Sequence, residues 1–296
     1  MSADKRTIFV VLPAFNEEAS IGKLLDHIAE ALREASLEFN IIVVDDGSTD
    51  RTTHETLERS TRMSVRLVRH KTNQGLGATI RDGLFEASAL AKARDIIVTM
   101  DADDTHTPGL IFRMVRMISE GFDVVIASRY QTGSRTIGVP LLRRALSRIA
   151  SWLFRILFPI HGVKDFTCGF RAYRAAVIRQ AIAEHGASFV DQAGFQCMVD
   201  ILLKLRRKPL IMGEVPFILR YDFKEGATKM KVGATVRKTL RLIMARRLQL
   251  GSSPLHPNAA RIATQEITQI AIGETRAQSR ASANTDRSVS HNVPSA

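Results

Sequence analysis

Apolar residues in the first third of the chain gather into short runs: Thr7–Leu12 (TIFVVL), Asn40–Val44 (NIIVV), Val65–Arg69 (VRLVR) and Asp95–Met100 (DIIVTM). Runs this short and this rich in β-branched residues predict strands, most of them buried on both faces. Between them, Glu17–Ala35, Asp50–Arg59 and Leu76–Ala91 place apolar residues at helical spacing and predict amphipathic helices. Strand–helix alternation of this kind predicts an α/β fold, a mostly parallel sheet with helices on both faces. Asp123–Ala127 (DVVIA) adds a further strand. In such sheets ligands collect beyond the carboxyl ends of the strands, where loops converge. Three polar clusters, Pro13–Glu18, Asp45–Asp50 and Asp101–Thr107, each follow a strand directly.

The pattern then changes. Leu141–Phe158 (LLRRALSRIASWLFRILF) is apolar apart from four arginines and two serines, with Arg144, Arg148 and Arg155 on one helical face. Ala234–Leu250 (ATVRKTLRLIMARRLQL) again sets Val236, Leu240, Ile243 and Met244 against five basic residues. Basic helices with large apolar faces suit a membrane interface, and core packing with a solvated face is the alternative. From Gly251 the chain is rich in Ser, Ala, Asn and Thr without an aromatic residue, which predicts a disordered tail. The expected organisation is therefore one domain over residues 1–232, including the helix at 141–158, then a second basic helix over 233–250 and a tail over 251–296.

Charge sharpens this division. The 296 residues carry a net +12, but residues 1–128 carry −5 and residues 129–250 carry +16. An acidic half suits a metal, and a basic half suits phosphates or an anionic membrane. No uncharged apolar run reaches the roughly 18–20 residues of a spanning helix. The opening MSADKRTIFVV has no signal-peptide pattern, and two cysteines, Cys168 and Cys197, make neither a disulfide framework nor a zinc site. A reducing, cytosolic setting is the expectation.

Asp101-Ala102-Asp103 sets two carboxylates one residue apart at a strand end, an all-oxygen site for Mg²⁺ or Mn²⁺ completed by phosphate and water. His106 follows as an alternative ligand or a hydrogen-bonding loop residue, and Pro108 opens the next helix. In Asp45–Asp50, Gly47 permits a tight turn, Ser48 or Asp50 caps a helix, and Asp45 and Asp46 are left to meet a nucleobase. Phe15 is placed to stack on a base, and Glu17 is expected in a first helical turn. Asn73-Gln74-Gly75-Leu76-Gly77 offers backbone N–H groups to a phosphate or is simply a turn.

In order, LPAFNEE, VVDDGSTD, NQGLGATIRDGL, MDADDTHTP, ASRY, RRALS, DFTCGFRAYR and EVPFILRYDFKEGATK closely resemble glycosyltransferase family 2 over residues 7–250. The resemblance is to its dolichol-phosphate mannose synthase-like, or polyprenyl-phosphate glycosyltransferase, group. It implies a GT-A fold and hexose transfer, with inversion, from a nucleotide-diphosphate sugar to polyprenyl or dolichyl phosphate. GDP-mannose is the first expectation for the donor and a UDP-hexose such as UDP-glucose the second. By position, Pro13, Phe15, Glu17, Asp45 and Asp46 would hold the nucleoside. Asp101, Ala102 and Asp103 would hold the donor diphosphate, with Asp101 and Asp103 as ligands of Mg²⁺ or Mn²⁺. Arg129, Arg143 and Ser147 would take the acceptor phosphate, and Arg220 and Lys229 would close over the diphosphate, with Gly226 and Thr228 in the same stretch. Asp103, Arg129 and Lys229 would carry the chemistry. Cys168 stands where the family usually has serine, Asp104 where leucine is common, and Thr105 where Gln or Ser joins the metal shell.

A phosphate monoester with a second pKa of about 6 is already an anion near pH 7 and needs a positive cradle rather than a base. A sugar hydroxyl acceptor would need one, with Asp165 or Asp191 as candidates. The greasy basic helices imply peripheral attachment to the cytoplasmic face of an anionic membrane, alone or helped by a partner protein. A non-catalytic nucleic-acid or membrane-binding protein is the rival from another class, suggested by pI ≈ 10.2. It leaves the strand-end acidic clusters without a purpose, so nucleic acid is not the expected partner.

Overall fold

The structure is a computed structural model that describes residues 6–221 and residue 244. The helix expected over 233–250 (Met244 apart), the 251–296 tail and the stretch carrying Gly226, Thr228 and Lys229 lie outside the described residues.

Strands β1 (Thr7–Ala14), β2 (Glu38–Asp45), β3 (Val65–Arg69), β4 (Ile96–Thr99), β5 (Val124–Ser128), β7 (Arg171–Arg174) and β8 (Met212–Pro216) form one sheet in the order β3-β2-β1-β4-β7-β5-β8. Six of its strands are laid down parallel; β7 alone runs against its neighbours β4 and β5. Along β1 and β4 residues pointing to either side are equally buried, so helices or loops cover both faces. A two-stranded parallel ribbon, β6 (Arg135–Ile137) with β9 (Ile218–Arg220), stands apart from the sheet.

The helices are α1 (Ile21–Glu34), α2 (Thr52–Ser60), α3 (Leu76–Leu90), α4 (Leu110–Ser119), α5 (Leu141–Leu157), α6 (Ala175–His185) and α7 (Gln196–Leu205). Two begin later than the apolar spacing predicts. Glu17 does not sit in the first turn of α1: its carbonyl accepts the N–H groups of Ser20 and Ile21, closing a separate turn before the helix. The N–H groups of Glu17 and Glu18 instead bond the Thr52 hydroxyl (2.7 Å) and the Asp50 carboxylate (3.1 Å) of the neighbouring loop. Asp50 takes the capping role at α2, accepting the N–H and hydroxyl of Thr52 at 3.0 and 2.5 Å. Burial would push its carboxyl up, but these donated hydrogen bonds prevail and hold it below the usual range.

Helix α5 has two faces. Phe154 is fully buried, stacked on Phe166 at 5.7 Å and near Phe158, while the Ser151 hydroxyl donates to the Lys164 carbonyl. Each buried phenyl ring contributes on the order of 1.5–3 kcal/mol. The opposite face leaves Leu141, Ile149, Trp152 and Ile156 exposed, with Arg148 and Arg155 exposed beside them. No described helix is long and apolar enough to cross a membrane. Cys168 and Cys197 are free and buried, and burial pushes each thiol up to about 12.

Candidate active site

The ends of β1, β2 and β4 bring the three acidic clusters to one rim of the sheet. Ala14 and Asp45 are register partners, and the Asp46 N–H bonds the Ala14 carbonyl at 2.8 Å. Asn16, at φ +53°, clasps the second loop: its N–H meets the Ser48 hydroxyl at 2.9 Å and its side-chain carbonyl accepts the Thr49 N–H at 2.9 Å. Pro13, Phe15 and Glu17 lie half-buried along this clasp.

Asp45 and Asp46 are turned inward and serve the loops themselves. Asp45 accepts the Ser48 N–H at 2.8 Å and the Thr53 hydroxyl. Asp46 accepts the N–H groups of Gln74 and Gly75, both at 2.8 Å, and faces His70 Nδ1 at 2.7 Å. The far nitrogen of His70 meets Asp82 at 3.0 Å, and Asp82 is also gripped by Arg81 at 2.7 Å. Burial alone would depress the imidazole, but the two carboxylates prevail and raise it to about 9. The same contacts correct the expected use of the Asn73–Gly77 turn. Its N–H groups at Gln74 and Gly75 are satisfied by Asp46, and the one at Gly77 by the Ala193 carbonyl, leaving none of these three for a phosphate. Gly77 is required there, because a Cβ would fall 1.8 Å from the Gln192 carbonyl oxygen.

The paired aspartates follow β4. Ala102 is buried, and its carbonyl accepts the Ser20 hydroxyl at 3.0 Å, tying this loop to the start of α1. Asp103 accepts the hydroxyl of buried Thr105 at 2.7 Å, so Thr105 orients the carboxylate it follows. Asp101 keeps 39% of its side chain exposed, and His106 Nε2 lies 3.7 Å from it. Gly169 makes room for Asp101, since a Cβ there would sit 3.1 Å from its Oδ1. Two hard carboxylates with most of a shell left to phosphate oxygens and water fit Mg²⁺ or Mn²⁺. Asp104, at φ +53°, faces His27 at 3.5 Å.

Arg129 leaves β5 beside the fully buried Asp165. Its Nε and Nη2 donate to the two carboxylate oxygens, each at 2.8 Å, and Nη2 also reaches the Thr167 hydroxyl at 2.6 Å. The Asp165 carboxylate accepts three main-chain N–H groups as well, from Arg129, Thr167 and Cys168. Burial pushes this carboxyl up, but Arg129 and those donors outweigh it and hold it below the carboxylate range. Glu214, itself raised by burial, fixes the segment by accepting the N–H groups of Lys164 and Asp165. Asp191 is likewise committed: Lys204 lies 3.2 Å from one oxygen and the Gln192 amide 2.8 Å from the other.

These segments enclose a cavity of about 360 Å³. Asp101, Asp103 and Thr105 line one part of it, and Arg129, Arg144, Ser147 and Arg148 another. Leu146, Ile149, Leu153, Val199 and Leu219 make much of the remaining wall apolar. Asp101 and Asp103 are the only carboxylates among its described lining residues. Arg143 lies in α5, its side chain outside the described residues; Arg220 lies half-buried in β9, its N–H bonded to the Thr105 carbonyl at 3.2 Å. The sequence patterns did not single out Tyr130, whose hydroxyl pairs with Ser147 at 2.9 Å, nor Gln196 or Phe195 in the wall. Arg144 and Arg148 were placed on one face but not in the site. The ASRY motif and the four-residue step to Arg148 were the available signals.

The chain is similar to known proteins. The family model described as Glycosyl transferase family 2 matches residues 9–186. A dolichol-phosphate mannosyltransferase of Pyrococcus furiosus is 33% identical over 237 residues, 80% of this chain and 62% of that protein's length. A polyprenol monophosphomannose synthase of Mycolicibacterium smegmatis is 30% identical, covering 80% of this chain and 84% of its own. Among solved structures, glucosyl-3-phosphoglycerate synthase of Mycobacterium tuberculosis, in complex with Mn²⁺, UDP and glucosyl-3-phosphoglycerate, superposes with a TM-score of 0.59. The match is at 23% identity and covers 84% of this chain and 82% of that one. The GT-A type of mostly parallel sheet is common to both.

Proposed function

The chain belongs to glycosyl transferase family 2 and is a glycosyltransferase; from that premise we propose that it moves a hexose from a nucleotide-diphosphate sugar to a polyprenyl phosphate. One observation carries the choice of acceptor: a cavity holding Asp101 and Asp103 together with Arg129, Arg144, Arg148 and Ser147. A hydroxyl acceptor needs a base. Asp165 and Asp191, the carboxylates available for that, are each locked to a cation and absent from the described cavity wall. A phosphate acceptor arrives as an anion and needs the arginines alone to seat it.

Asp101 and Asp103 would hold Mg²⁺ or Mn²⁺, and the bound ion would supply positive charge to the departing nucleoside diphosphate. Thr105 keeps Asp103 aimed for that task. Arg129, fixed by Asp165, and Ser147, fixed by Tyr130, orient the acceptor phosphate toward the anomeric carbon. Arg220 and Lys229 are assigned to the donor diphosphate, and the loop from Pro13 to Glu17 to the nucleoside. The apolar wall along α5 would carry the first isoprene units outward. The exposed stripe of Leu141, Ile149, Trp152 and Ile156, flanked by Arg148 and Arg155, would rest on the anionic cytoplasmic leaflet. GDP-mannose is the first donor proposed, a mannosyl donor being in keeping with the mannosyltransferase names of the relatives, and a UDP-hexose is the second, in keeping with the UDP complex of the structural neighbour.

The test is transfer from a panel of labelled nucleotide sugars to a short polyprenyl phosphate with Mn²⁺ present. One donor should label the lipid, and Asp101→Asn and Asp103→Asn should each reduce transfer at least about a hundredfold with the fold retained. Labelling of a glycan hydroxyl but not of lipid phosphate would overturn the reading.

A further inference from the structure

His106 is buried to within 5% of full enclosure, lines the cavity, and has no part in the transfer as described. Its ring is slotted between two phenyl groups: parallel to Phe170 with centroids 5.2 Å apart, and edge-on to Phe217 at 5.0 Å. The slot leaves Nδ1 buried without a hydrogen-bond partner, while Nε2 points toward Asp101 Oδ2 at 3.7 Å. A polar ring nitrogen stripped of partners is costly to bury, so apolar packing alone would favour a leucine or phenylalanine at this place. Thr105, one residue earlier, already fixes the other aspartate through its hydroxyl.

We propose that His106 is the positioning residue for Asp101, holding that carboxylate in the orientation that meets the divalent ion. The idea rests on the metal-bearing reading of the cavity. Thr105 and His106 then act as a matched pair of supports, one for each aspartate. The aromatic slot gives His106 its fixed direction, and it also links the metal-binding loop to two other parts of the site. Phe170 ends the segment that carries Asp165 and Gly169, and Phe217 precedes β9, whose Arg220 bonds Thr105. Partners that orient a metal ligand from behind are typically worth about 10–100-fold in metal affinity.

Titration of Mn²⁺ into the purified protein, read from the loss of the free-ion paramagnetic resonance signal, tests this without turnover. His106→Leu keeps the packing and removes the donor, and should weaken Mn²⁺ binding about tenfold or more. His106→Gln, whose amide N–H reaches about where Nε2 lies, should recover most of it. Equal Mn²⁺ affinity in the parent protein and His106→Leu would overturn the proposal, as would equally weak binding in the Leu and Gln variants. Should His106→Leu fail to fold, the Gln variant decides: affinity within about threefold of the parent supports the role, and a loss of about tenfold or more overturns it. Absence of Mn²⁺ binding by the parent protein removes the metal-bearing reading itself, and this proposal with it, whereas a loss confined to Asp101→Asn and Asp103→Asn removes only the role of His106.

Discussion

Replacing Asp165 by asparagine separates a carboxylate that holds an arginine from one that moves a proton. The native carboxylate is fully buried and accepts two guanidinium N–H groups and three main-chain N–H groups. Asparagine has the same shape, yet it removes the negative charge and turns an amide N–H toward a donor. Breaking one side of a buried ion pair costs about 3–5 kcal/mol, and the low end applies because Arg129 keeps 20% of its side chain exposed. About 3 kcal/mol in a protein of this size lowers Tm by about 6–12 °C. The folded-state carboxyl is held below its ordinary value, so its contribution is present above the unfolded pKa and is lost as pH falls through the lower folded value. Melting curves of parent and Asp165→Asn should therefore run parallel from about pH 5 to 8 and converge only below about pH 4. In transfer assays the KM for lipid phosphate should rise because Arg129 is no longer aimed. A variant that melts within about 1 °C of the parent, yet loses turnover at unchanged KM, would refute this account and restore Asp165 as a base.

Two further outcomes are expected. His70 is held at about 9 between Asp46 and Asp82, above the ordinary value of 6.5, so its stabilising contribution is complete below about pH 6.5 and fades as pH rises through 9. Comparing Tm of the parent with His70→Gln should give the largest difference at pH 6 and little at pH 10, and an imidazole resonance titrating near 6.5 would contradict it. Trp152, 62% exposed on α5, should be dispensable for folding, and Trp152→Glu should weaken sedimentation with anionic vesicles about tenfold or more. Unchanged sedimentation would overturn the assignment of this face of α5 to a membrane surface.

The central strands were legible because strands buried on both sides admit few polar residues: Ile8 to Leu12 and Ile41 to Val44 read as nothing else. β7 was not. Its sequence, Arg-Ala-Tyr-Arg, looks like surface, and Arg171 is buried there only because the carbonyls of Met198 and Phe166, distant or out of register in sequence, accept its guanidinium. The aspartate pair at 101 and 103 announced itself by its position after a strand. Asp46 shows the limit of such reasoning. An acidic residue in a loop reads alike whether it faces a nucleoside or three partners inside the protein, and those partners, His70, Gln74 and Gly75, lie 24 to 29 residues away. The boundary of α1 failed for a related reason: spacing records which residues are apolar, not which N–H groups a neighbouring loop will claim.

The single reversed strand has a wider consequence. In a sheet of uniformly directed strands, only segments departing from a strand arrive at the rim where ligands meet. Because β7 enters where β4 leaves, Arg171 opposite Thr99, the stretch preceding it is delivered to that same rim. On the proposed reading, donor recognition belongs to the exits of β1, β2 and β4, and acceptor recognition to the long excursion between β5 and β7. Insertions in that excursion would then change what receives the sugar while the ladder beneath keeps its register.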